Sequence, residues 1–212
     1  MIQGVRWVVF AAVVVAAGCS EPATSDDSTA GSGSSAAAPV ASSARRVHGR
    51  APVVNGIPPI IVLEPRDGRT FPAPSEAAAL DQLSLTFIPP VLFVRAGYPA
   101  EFWNSDEVLH NVRVMNKATK VGEFNVSVPT GEVYRHTFTE TGLYDITCDV
   151  HPAMMSALVV STTPYAMQAD AAGAFAFEDV APGAYTAVAY VGGHPMEMTI
   201  DVAGPTEVVF RP

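Results

Sequence analysis

From residue 83 to residue 160 apolar positions alternate with polar ones in short runs, each closed by Pro, Gly, Asn or Asp. This period of two predicts strands at Leu83–Phe87, Val91–Val94, Ala100–Asn104, His110–Met115, Glu123–Val128, Glu132–Thr139 and Gly142–Cys148. An apolar strand, Ala157 to Val160, follows. In the run Leu143 to Cys148, alternation puts Tyr144, Ile146 and Cys148 on one face and Asp145 and Thr147 on the other. Cys148 therefore points inward where a strand ends. The number of strands suits a two-sheet Greek-key sandwich. Composition agrees with an all-β fold, because 18 prolines and 16 glycines punctuate the chain and only 16% of residues are charged, too few for long solvated helices. A hydrophobic fraction of 49% in 212 residues supports one or two ordinary cores.

The first 50 residues read differently. Arg6 and the apolar run Trp7 to Ala17 make residues 1–18 a signal peptide. Its end, Ala16-Ala17-Gly18-Cys19, resembles a bacterial lipobox, which implies lipidation of Cys19 and a membrane tether. Ser20 after that cysteine leaves export to the outer membrane open. Residues 19–50 are rich in Ser, Ala, Gly, Thr and Asp, and are expected to form a flexible low-complexity tether in which His48 is solvated. Loss of Arg6 with the signal peptide takes the formal net charge from −9 to about −10. Nothing in such a chain neutralises phosphates, so nucleic acid is excluded as a partner, whereas a basic redox protein fits.

The chemistry concentrates at Cys148, His151 and Met154, spaced C-x-x-H-x-x-M, with His110 upstream. Two imidazoles, a thiolate and a thioether are the ligand inventory of a blue-copper electron-transfer site. Cys19 is claimed by the lipobox, so Cys148 stands unpaired in an oxidising compartment, where a lone thiol is either hidden or bound to metal. Pro152 restricts the loop that brings three donors together, and His110 comes from another strand and pins that loop to the sandwich. Among the other histidines, His136 reads as a structural side chain in its strand. The segment His194-Pro195-Met196-Glu197-Met198 offers soft donors, but alternating methionines in a strand are ordinarily packing residues.

Asn104-Ser105-Asp106, His110-Asn111-Val112 and Gly142-x-Tyr144-x-x-x-Cys148-x-x-His151-Pro152-x-Met154 together resemble the copper-binding signature of cupredoxins of the plastocyanin and amicyanin type. The spacings from Cys to His and from His to Met are the more amicyanin-like. The resemblance covers about Leu80 to Val160 and implies a cupredoxin domain over residues 51–161 holding one type 1 copper ion. It implies that His110, Cys148 and His151 are the equatorial ligands, that Met154 is the axial one, and that Asn111 ties the His strand to the Cys loop. Met155 follows Met154 directly; it is expected to turn away with the outgoing strand. Asp149, next to the thiolate, would favour Cu(II) to a degree set by its exposure.

Residues 162–212 change texture. Asp170-x-x-Gly173-x-Phe175-x-Phe177-x-x-Val180-x-Pro182-Gly183-x-Tyr185 resembles the carboxypeptidase regulatory-like, transthyretin-like β domains, in which this run makes a hairpin. So short a unit is expected to pack on the cupredoxin domain and to share the strand Leu158 to Val160, as structural support or a docking element. The function expected is a lipid-anchored, periplasm-facing carrier of single electrons between redox proteins in the bacterial cell envelope. A copper-binding or copper-delivery lipoprotein, and an envelope binding module with a structural cupredoxin fold, are the alternatives. An enzyme is not expected, since the chain lacks the H-x-H pairs of multicopper oxidases.

Overall fold

The computed structural model describes residues 45–211. Cys19, the signal peptide and most of the predicted tether lie outside the described residues. The sixteen strands are β1 (Val47–Arg50), β2 (Ile60–Pro65), β3 (Ala78–Leu83), β4 (Thr86–Ile88), β5 (Val91–Arg95) and β6 (Pro99–Asn104). Then come β7 (His110–Asn116), β8 (Gly122–Val128), β9 (Val133–Thr137), β10 (Gly142–Thr147) and β11 (Met155–Ser161). Last are β12 (Ala166–Gln168), β13 (Ala174–Phe177), β14 (Gly183–Val191), β15 (His194–Val202) and β16 (Thr206–Val209). As the alternation requires, the described chain is all-β.

Four sheets stack face to face. The sheet β4-β3-β6-β9 packs on β5-β11-β10-β7-β8 around a core that includes Leu80, Phe87, Phe102, Val112, Val114, Tyr144, Ile146 and Leu158. The sheets β12-β2-β14-β15 and β13-β1-β16 enclose a second core around Ile61, Leu63, Phe175, Phe177, Tyr185 and Val208. A third core joins the two sandwiches, where Leu143 and Val159 of the five-stranded sheet meet Ile60, Val62 and Val188. Alternation within β11 explains the arrangement. Leu158 and Val160 enter the first core while Val159 enters the third, so both faces of this strand are buried. The C-terminal unit thus packs on the five-stranded sheet through the face of β11, whose hydrogen-bonded neighbours are β10 and β5.

Four expectations need correction. Val47–Arg50, placed in the tether, pairs antiparallel with β13 and parallel with β16, so His48 is partly buried rather than solvated. Likewise Ile60–Pro65, assigned to the first domain, pairs with β12 and β14 of the second. A fifty-residue C-terminal segment lacks the surface to close a core, and strands recruited from before the first sandwich supply it. The Asp170 to Tyr185 run is not a hairpin: β13 and β14 lie in opposite sheets, so Phe175, Phe177 and Tyr185 meet across the core. Finally, Leu83–Phe87 is not one strand. It contains the turn Ser84–Leu85, whose φ angles of 54° and 56° end β3 and begin β4.

Gly49 permits the close approach of β1 to β16: a Cβ there would lie 1.7 Å from the Val208 carbonyl oxygen. Gly49→Ala is therefore expected to destabilise the protein by about 2–3 kcal/mol, in the range of an overpacked core, measured as a lower urea midpoint. On the loop after β2, Arg69 holds the Asp67 carboxyl at about 2, chiefly through the side-chain hydrogen bond. With its folded value below the unfolded one near ~3.9, this group's stabilisation is complete above pH 4 and fades as pH falls toward 2. Arg69→Met is expected to raise the Asp67 titration, followed by NMR, part of the way to the ordinary carboxylate range, because the backbone N–H of residue 69 still donates to Asp67.

Candidate metal centre

The ligand candidates come from adjacent strands of one sheet. His110 opens β7, which pairs with β10, and β10 runs into the turn that carries Cys148, His151 and Met154 before β11 returns beside it. Cys148 N–H donates to the Met154 carbonyl at 3.3 Å and Met154 N–H to the His151 carbonyl at 2.9 Å, closing the turn. His110 and Cys148 are buried, whereas His151 is partly exposed.

His110 Nδ1 lies 2.9 Å from His151 Nδ1, and Cys148 Sγ lies 3.9 Å from each. The point equidistant from the corners of that triangle is about 2.1 Å from each, inside the ~2.0–2.3 Å span of metal–nitrogen and metal–thiolate bonds. Donor chemistry and spacing both fit a single ion held by mixed nitrogen and sulfur ligands. Met154 is 1% exposed and shares the core with Cys148; Met155 is 68% exposed as the first residue of β11. Alternation thus turns Met155 outward, as expected.

Two of the donors, His110 and Cys148, are held from behind. His110 Nε2 is 2.8 Å from Asp106 Oδ2. A proton on Nε2 directed at that carboxylate leaves Nδ1 with its lone pair free, as an imidazole ligand requires. Asp106 in turn accepts from Ser84 N–H at 2.5 Å and Leu85 N–H at 2.9 Å. Its carboxyl is held below the ordinary range, first by the Leu85 N–H, then against burial by His110 and the Ser84 N–H.

Asn111 secures the other side. Its Oδ1 accepts from Asp149 N–H at 2.6 Å and Val150 N–H at 3.4 Å, and lies 3.3 Å from Cys148 Sγ. Its Nδ2 donates to Asn125 Oδ1 at 2.7 Å and Asp149 Oδ2 at 3.2 Å. Asn125 Nδ2 also donates to Asp149 at 2.8 Å, and Arg113 reaches it at 3.4 Å. These partners, Asn125 first, pull the Asp149 carboxyl down, so this neighbour of the thiolate is anionic, half-exposed and already paired. Its field at the site is accordingly screened.

Sequence reading passed over Asp106, Asn125 and Arg113 as site residues. Asp106 lay within the quoted motif, four residues before His110; Asn125 and Arg113 carry no local signal, because cross-strand pairing alone makes them neighbours. The remaining candidates stay apart from the centre. His136 bonds Glu123 at 2.8 Å and packs on Phe124 and Phe138. Met196 and Met198 pack against the second core, while His194 is exposed.

Residues 75–161 match the family of copper binding proteins described as plastocyanin/azurin, and residues 156–208 match polysaccharide lyase family 4, domain II. No curated protein matches the chain. Similar solved structures include the oxidised state of an amicyanin mutant, at 27% identity over 42% of this chain and 86% of that one, with a TM-score of 0.37. A purple cupredoxin from Nitrosopumilus maritimus is 24% identical over 40% of this chain and 99% of its own, with a TM-score of 0.36. A Cu-containing nitrite reductase from Thermus scotoductus SA-01 is 24% identical over 48% of this chain and 27% of its own, with a TM-score of 0.38. The family match supports the cupredoxin expectation for the first sandwich. For the second, the matching description differs from the carboxypeptidase regulatory-like resemblance.

Asn111→Ala removes the acceptor for two loop N–H groups. A loss of about 1 kcal/mol is expected for the metal-free protein, the cost of leaving part-buried donors unpaired. Urea unfolding with the metal chelated measures it.

Proposed function

We propose that the protein is a membrane-tethered type 1 copper protein that carries single electrons between redox partners in the bacterial cell envelope. The observation that carries this reading is the triangle of His110 Nδ1, His151 Nδ1 and Cys148 Sγ, buried at His110 and Cys148 and sized for one ion. Bound copper supplies a one-electron Cu(II)/Cu(I) couple, and a set of two imidazoles, a thiolate and the axial thioether of Met154 suits both oxidation states.

The chain's own residues make that set rigid. Asp106 orients His110, Asn111 ties the Cys148 turn to β7, and the ladder β7-β10-β11 holds the strands that carry them. Donors that keep their places between oxidation states lower the reorganisation that electron exchange requires. His151 is the ligand whose ring reaches the surface, and its neighbours Val150, Pro152 and Ala153 are exposed. Val108, Leu109 and Met155, next to ligands in sequence, are exposed as well. A partner that docks on such apolar surface approaches the His151 ring without stripping water from charges. The acidic chain favours a basic partner, steered by long-range attraction.

In this reading Cys19 carries the lipid anchor, the Ser- and Ala-rich stretch after it gives reach, and the protein faces the periplasm from the inner or outer membrane. It is a carrier rather than an enzyme. Burial of His110 and Cys148 favours a resident ion over one handed on, which sets the carrier above a copper-delivery protein.

Titration with Cu(II) is expected to produce an intense blue thiolate-to-copper absorption and an EPR spectrum with small hyperfine splitting. Cys148→Ala is expected to abolish the band, whereas Met154→Leu retains copper and shifts the potential upward. An unchanged spectrum in Cys148→Ala would refute the ligand set. Irreversible voltammetry with readily exchanged metal would favour delivery, and a folded protein that binds no copper would leave the binding-module alternative.

A further inference from the structure

Ser84 and Leu85 form the two-residue turn between β3 and β4, bracketed by the pair Leu83 and Thr86. Both have positive φ, 54° and 56°. A two-residue hairpin turn with both φ angles positive is ordinarily built from Asn-Gly or Asp-Gly, because other side chains crowd the backbone there. Serine followed by an exposed leucine is a costly choice, and nothing in the apolar cores demands it, since the Leu85 side chain is 52% exposed.

What the conformation achieves is visible on its other side. Two successive N–H groups point the same way, a concavity that binds anions. The anion is a carboxylate of the chain itself: Ser84 N–H reaches Asp106 Oδ1 and Leu85 N–H reaches Oδ2, the oxygen that also meets His110 Nε2. The backbone of Asp106 is pinned as well, its N–H lying 3.1 Å from the Gln82 carbonyl and 3.0 Å from Asn104 Oδ1. Gln82 and Asn104 are themselves buried. Carboxylate, turn and imidazole thus form one continuous hydrogen-bonded chain, and the strained member lies farthest from the ligand.

We propose that the Ser84–Leu85 turn is a positioning element of the metal centre: its paired backbone N–H groups lock the Asp106 carboxylate, and through it the ring plane and tautomer of His110. The inference rests on His110 being a ligand in the function proposed above. Local strain persists because it is over-determined by these contacts, and it serves a site that the turn never touches. Leu85 contributes its N–H, and its side chain is dispensable.

The test reads the His110 imidazole in metal-free protein by 1H–15N NMR, and then Cu(II) affinity. Replacing the Leu85 amide by an ester deletes one N–H and leaves the side chain. This change is expected to speed exchange of the His110 Nε2 proton about tenfold and to weaken Cu(II) binding roughly tenfold, the usual effect of losing a partner behind a ligand. A glycine inserted between Ser84 and Leu85 swings both N–H groups off the carboxylate and gives a second variant with the same expectation. Leu85→Gly keeps the N–H and relieves the positive φ, so proton exchange stays at the parental rate while stability rises. In an Asp106→Asn background the ester is expected to have no further effect on His110. Unaltered exchange in both folded turn variants overturns the proposal, as does an ester effect that persists in full with Asp106→Asn. Because the imidazole proton is read without metal, a protein that binds no copper would sink the functional reading and leave this result separately interpretable.

Discussion

Strands β7, β10 and β11 lie side by side in one sheet, and the donor geometry depends on that ladder, whose inner face lies on the first core and whose β10 and β11 also bury Leu143 and Val159 on the other face. A sheet with one face in water has freedom to flex and twist. This one is gripped between the first core and the core it shares with the C-terminal unit. His110 begins β7, Cys148 follows the last residue of β10, and Met155 begins β11, so all four candidate donor side chains gather at one end of the same sheet. Their spacing is then a property of the strand ladder rather than of a mobile loop.

The second sandwich gains a physical role from this arrangement. Its inner sheet supplies Ile60, Val62 and Val188, which cover Leu143 and Val159 and remove what would otherwise be an exposed apolar face. It is also where the chain's N-terminal described strand is sewn in, since β1 sits between β13 and β16.

At the centre itself, polar groups are organised in two chains that arrive from opposite sides. Leu85 and Ser84 N–H, Asp106 and His110 form one; Arg113, Asn125, Asp149 and Asn111 form the other. Both end on a donor or beside one. A hydrogen-bonded chain holds its end in place only while every member is satisfied, which explains why so many polar side chains outside the candidate donor set surround it.

Much was legible from the chain alone. The period of two along Leu143 to Cys148 put the thiol on the core face, and the C-x-x-H-x-x-M spacing pointed to candidate donors that a tight turn can converge, because both signals are local. Strand alternation likewise led to the expectation that Met155 turns away, and it is exposed while Met154 is buried. The turn at Ser84–Leu85 was invisible, since its residues look like strand formers and its φ angles are sustained by Asp106, twenty-one and twenty-two positions away. Strands β1 and β2 were assigned to the wrong neighbours for the same reason. Short extended segments carry little record of their partners, and the choice between two sandwiches is made by which core has an open edge and apolar surface left to bury. Residue types and their spacing determined the chemistry this protein can host; only tertiary packing decided which backbone groups hold each donor still, because those contacts join residues that no local pattern relates.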